Sequence, residues 1–192
     1  MNKTRLEAIT DGVIAIVITV MLIELKVPEG IHFSDLTQEF HGILSYVLSF
    51  MYIGIYWINH HHLFQLVEKV NGKIIWINLH LIFWLTMIPY TTSWSAQSNY
   101  SPVPTALYAF ILFMCSLSYA MLEWSIARAQ GDKSVVRKVL GKDKKLALSV
   151  LLYAMSILLS LVDTRLSLLV LVVLAVLWFF PNKRIEQYCE EK

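Results

Sequence analysis

An acid inside a greasy segment is the first place where this sequence could do chemistry. The stretch RLEAITDGVIAIVITVMLIELKVP, residues 5–28, is built largely from Val, Ile, Leu and Ala, yet it carries Arg5, Asp11 and Thr19. An ionised carboxylate at membrane depth is costly unless it is paired or wet, so Asp11 either holds a cation or proton or fastens helices through a polar partner. Partners are on offer further along the chain: Trp57 and His61, four residues apart and therefore on one helical face, and Asn78. The other conspicuous cluster is His60, His61 and His62. Adjacent positions on a helix point about 100° apart, no HExxH is present, and no carboxylate follows at three or four residues, so a metal site is not expected. No cofactor is implied either. The chain lacks a recognisable nucleophile or metal motif and reads as not an enzyme.

The elements that must position these residues are membrane helices. Hydrophobic residues make up 57% of the chain and charged ones only 16%, against roughly 25% charged in a soluble domain. Between Lys73 and Glu123 no Asp, Glu, Lys or Arg occurs at all, which is the pattern of segments that live in lipid. Length and punctuation divide the chain into six spans, at about residues 8–25, 42–67, 74–94, 105–127, 146–162 and 166–180, since crossing the hydrocarbon takes roughly 20 residues and the last two, about 17 and about 15, are shorter and need local thinning. The breaks are KVPEG, EKVNGK, the loop SAQSNYSPVP and DTR. The fold class is therefore all-α, an integral membrane protein of six helices in one domain, residues 1–192. The first apolar run lacks a small-residue cleavage site and contains Asp11, so it reads as a helix of the mature protein. Cys115 and Cys189 would lie at different depths and are expected to be free thiols.

Charge placement sets the orientation. With the N-terminus cytoplasmic, fourteen of the sixteen basic residues fall inside and only Lys26 and Arg165 outside. Both termini are thus expected in the cytoplasm, in a multi-pass protein of the cell membrane. The basic segment RKVLGKDKK, residues 137–145, is the cytoplasmic connection between spans four and five and lies within reach of anionic lipid. No nucleic-acid partner is expected.

On a helical wheel Gly12, Ile16, Thr19, Val20 and Ile23 share a face about 100° wide, and Asp11 lies off it. From pattern alone such a face covers lipid or another helix.

The residues also carry a resemblance. Arg5, then after three residues Ile9 and Thr10 where the family usually has Phe and Ser, then Asp11, Gly12, Val13, Ala15, Ile16 and Thr19 resemble in order the first-helix signature of the transmembrane protein 175 family of potassium channels. WINHHHLF and NLHLIFWLTMIPYTT resemble its second and third helices. The resemblance implies a passive potassium channel, a homotetramer in the bilayer whose first helices line a central pore. It places Ile16 at the narrowest ring, Thr19 as a hydroxyl ring and Ile23 as a further apolar ring, with Arg5, Asp11, Trp57, His61 and Asn78 as a supporting polar network. There is no TVGYG stretch, so selectivity would come from pore width, partial dehydration and the Thr hydroxyls. A secondary transporter using Asp11 or Glu24 as a cation or proton site is the alternative, although the internal repeats and broken helices common in that class are not evident.

Overall fold

The computed structural model of the chain describes residues 2–131 and 144–179, and every described regular element is an α-helix. Helix α1, Lys3–Ile23, covers the segment that carries Asp11. Its 21 residues reach about 31 Å, enough for the hydrocarbon thickness. It begins earlier and ends slightly earlier than the sequence pattern suggests, because the polar first turn is helical too. A short helix α2, Phe33–Gln38, follows KVPEG and was not legible as a separate element. Its start is held by the Asp35 carboxylate, which accepts from the His32 amide at 2.9 Å. Helix α3, Phe40–Gln65, is the second long apolar helix.

The third apolar run is one path made of two pieces, α4, Gly72–Thr86, and α5, Ile88–Gln97, which meet at Met87. Pro89 explains the break, since it has no amide to offer the Leu85 carbonyl and its ring crowds that turn. Asn71 caps the start of α4 by accepting from the Ile74 amide at 2.9 Å. The expected loop SAQSNYSPVP is much shorter in the structure. Ser95, Ala96 and Gln97 continue α5, and the prolines sit in the first turn of α6, Pro102–Ala129, where their missing amides cost nothing. Asn99 and Tyr100, with φ of 50° and 56°, make the tight reversal between them.

The last described elements are α7, Lys144–Ser160, and α8, Thr164–Phe179, an apolar hairpin. Among the described residues four runs are long and apolar enough to cross a membrane, α1, α3, α4 with α5, and α6, while α7 and α8 are apolar but shorter. Most of the basic connection, residues 132–143, and residues from 180 on, with the end of the sixth expected span and Cys189, lie outside the described residues. Cys115 is a buried free thiol.

Helix α6 packs chiefly on α4 and α7, α7 on α8, and α1 on α3, α4 and α5. Lipid offers no hydrophobic drive between helices, so close packing and interhelical hydrogen bonds must hold the bundle. Such bonds converge on α3. Ser49 Oγ lies 2.7 Å from Thr92 Oγ1 and 2.8 Å from the Tyr108 hydroxyl, joining α3 to α5 and α6. The Tyr52 hydroxyl donates to the Leu171 carbonyl at 2.6 Å, joining α3 to α8.

Candidate functional site

Helix α1 has two unlike faces, and the difference defines the candidate site. Leu6, Thr10, Ile14, Val17 and Met21 are buried against the rest of the chain, and their spacing of three and four residues makes them one continuous stripe. Ile16, Thr19 and Ile23 fall about 140° away on average. Ile16 is 62% exposed and Ile23 79%, and Thr19 and Gly12 are exposed beside them. No other described element of the chain covers that face.

The one hydroxyl on this face has a fixed polarity. Thr19 Oγ1 donates back to the Ile16 carbonyl at 2.8 Å. Its proton is committed to the helix, so the oxygen presents lone pairs outward and can accept from water or touch a cation. Above and below it the face offers only methyl groups. The arrangement suits a dehydrating neck with one weak polar contact.

On the packed side the polar residues form a directed chain. His60 Nε2 lies 2.8 Å from Asn78 Oδ1, and since that oxygen can only accept, the imidazole donates. Asn78 Nδ2 then donates to Thr10 Oγ1 at 2.8 Å, and Thr10 donates to the Leu6 carbonyl at 2.9 Å. All three side chains are buried, and they join α3, α4 and α1. A separate bond runs from Trp57 Nε1 to Asp11 Oδ1 at 3.0 Å, on the exposed edge of the same contact.

Asp11 and Trp57 are thus brought together, and Asn78 meets α1 at Thr10 instead. His61 is not in this network. It is exposed and pairs within its own helix with Gln65 Nε2 at 2.8 Å, and His60 occupies the place expected for it. The reason is register. Ile53, Tyr56, His60 and Leu63 are all buried, so the inward stripe of α3 passes through His60, and His61 is turned about 100° off it. Arg5 is exposed in the first turn and has no side-chain partner among the described residues. Glu24 caps the end of α1 and is exposed. Sequence reasoning missed Thr10 as a network member, although its place on the stripe from Leu6 to Met21 was a usable signal. It also missed His80, which accepts from Trp84 Nε1 at 3.0 Å and lies 2.9 Å from Ser118 Oγ, tying α4 to α6.

Comparison with known proteins bears on this geometry. The profile of the family described as "Endosomal/lysosomal potassium channel TMEM175" matches residues 5–89, which hold α1, α3 and α4. A potassium channel of Chryseobacterium sp. (strain P1-3) is 42% identical over 191 residues, covering 100% of each chain. A potassium channel of Streptomyces collinus is 32% identical over 67% of this chain and 66% of its own length. Among solved structures, the crystal structure of a lysosomal potassium-selective channel TMEM175 homolog from Chamaesiphon minutus superposes with a TM-score of 0.80, at 28% identity, over 92% of this chain and 95% of that one.

Proposed function

Because this chain belongs to the TMEM175 family of channels, we propose that it is a potassium channel of the cell membrane in which four copies arrange their α1 helices around a central pore. The observation that carries the reading is the open face of α1. A helix packed on one side only, with Ile16, Thr19 and Ile23 left uncovered on the other, needs either lipid or further copies of itself. One helix cannot enclose a path, and closed rotational symmetry with several copies can. The chain resembles the short, single-repeat members of the family, for which four copies are expected.

In such an assembly Ile16 forms the narrowest ring. Its methyl groups give an ion nothing in exchange for lost water, so passage there depends on how readily the ion dehydrates, and potassium sheds water more easily than sodium. Thr19 supplies a ring of outward lone pairs that favours cations, and Ile23 a second apolar ring. The same aliphatic rings can close the path by dewetting. Asp11 acts as a fastener, since Oδ1 of its carboxylate accepts from Trp57 Nε1 and ties α1 to α3. The transporter reading needs that same carboxylate to load and release an ion at the expense of this contact between helices.

Reconstituted in planar bilayers with potassium on one side and sodium on the other, the protein should pass current with no added counter-ion, and the reversal potential should favour potassium. Flux that stops unless a second ion moves in fixed ratio would replace the channel with a carrier.

The reading includes six spans with both ends cytoplasmic, supported by the fourteen-to-two split of basic residues and by the apolar character of α7 and α8. Cys115 is fully buried and silent to polar reagents, so only Cys189 needs replacing. In that background Glu29→Cys and Asp163→Cys should label from outside and Lys69→Cys from inside. Labelling of Asp163→Cys from the side of Lys69→Cys would remove the last pair of spans.

A further inference from the structure

We propose that the chain carries an anionic phospholipid site where the start of α4 meets the end of α6. Lys73, in the first turn of α4, places its ammonium 5.0 Å from the centre of the Trp124 ring, and Arg128, in the last turn of α6, places its guanidinium 5.3 Å from the same ring. Two cations from different helices thus converge on one indole, each within cation–π range. No carboxylate of the described residues neutralises either charge.

The tryptophans point the same way. Trp57, Trp84 and Trp178 each donate their indole N–H to a protein acceptor, Asp11, His80 and Ser149. Trp94, 39% exposed, Trp124, 55% exposed, and Trp76, 74% exposed, have no acceptor among the described residues, and of these three Trp76 and Trp124 lie beside the two cations. Trp76 stands three residues after Lys73 and Trp124 four before Arg128, so each ring shares a helix face with a cation. An anionic headgroup set between them gains two charges and two neutral donors.

A free phosphate could use those groups too, but it would have no use for what lies beside them. Leu79 and Phe83 continue the Trp76 face along α4 at three and seven residues, and both are exposed. Met121 does the same one turn before Trp124 on α6. A cationic pair over aromatic rings, with an apolar strip running into the bilayer, has the shape of a whole phospholipid lying against the helices. The proposed orientation puts this end of α4 and α6 at the inner leaflet; binding itself does not rest on that orientation, and neither depends on the pore.

The test is native mass spectrometry of the full-length protein, titrated with phosphatidylglycerol and, in parallel, phosphatidylcholine. The double variant Lys73→Gln with Arg128→Gln should lose phosphatidylglycerol affinity about tenfold, with phosphatidylcholine binding unchanged. Lys26→Gln with Arg165→Gln removes the same charge at the opposite end and should retain it. Trp124→Leu should fall between. Equal loss in both double variants would reduce the effect to net charge, and displacement of the lipid by millimolar inorganic phosphate would make the site a plain anion site. Either result overturns the proposal, as does separation of the subunits in the Lys73 and Arg128 variant, which would make the patch a protein contact. Lipid binding retained in wild type while the cysteine labels invert would leave the site standing and move its leaflet.

Discussion

An Ile16→Asn channel should carry more current than the parent and discriminate less between potassium and sodium. Ile16 is 62% exposed within its protomer, so the substitution removes little packing, and surface changes away from caps and cores usually stay within about 0.5 kcal/mol. In the proposed tetramer, however, four amides would replace four apolar side chains at the axis. They wet the neck and give an ion donors and acceptors in exchange for its shed water. Every 1.4 kcal/mol removed from the barrier is about tenfold in rate, so a several-fold rise in single-channel current is expected, larger for sodium than for potassium. Ile14 cannot serve as the control, because it is 3% exposed and an amide there would be buried in the contact with the bundle. Leu22 can: it is exposed on α1 and lies about 120° from Ile16 on the wheel. If Leu22→Asn reproduces the gain and Ile16→Asn does not, the pore face has been drawn on the wrong side of the helix.

The face itself was legible in the sequence because a helix repeats its environment every three to four residues. Gly12, Ile16, Thr19 and Ile23 fall together by counting alone; that the bundle buries Leu6, Ile14, Val17 and Met21 instead was not legible, because both sides are aliphatic. Counting fails where neighbours share a chemistry. His60, His61 and His62 are equivalent as a string, and only the register of α3, fixed by Tyr56 beneath and Leu63 above, turns His60 inward and leaves His61 to Gln65. The break at Met87 has a similar origin. A membrane pattern reads Gly72 to Gln97 as one apolar run, and the effect of Pro89 on it depends on how the freed Leu85 carbonyl is accommodated in three dimensions. Helix α2 carries too few residues for any periodicity to register. The pairing of Lys73 with Arg128 over Trp124 joins residues 55 positions apart and needs the packing of α4 on α6 to exist at all.

The polar chain behind the proposed pore face should govern stability and leave ion choice alone. Asn78 is fully buried and uses both ends of its amide, accepting from His60 and donating to Thr10. Asn78→Leu nearly conserves volume but strands the His60 donor in a dry contact, at a cost of about 1–3 kcal/mol for an unsatisfied buried group. Thr10 loses less, because its hydroxyl still donates to the Leu6 carbonyl. Interhelical hydrogen bonds measured in a membrane bundle average only about 0.6 kcal/mol, with a maximum near 1.7, so a penalty at the upper end here would mean that His60 finds no second partner. Heating the tetramer in detergent and following its dissociation gives the total for Asn78→Leu, and Thr10→Val alone and combined with it gives the coupling. The combined variant should lose less than the sum of the two, because the shared bond is counted once. In bilayers the surviving channels should keep the parental preference for potassium, the opposite of Ile16→Asn. A preference that collapses in Asn78→Leu while the tetramer melts normally would mean that the two faces of α1 are not separable, and that the polar chain sets the pore as well as the packing.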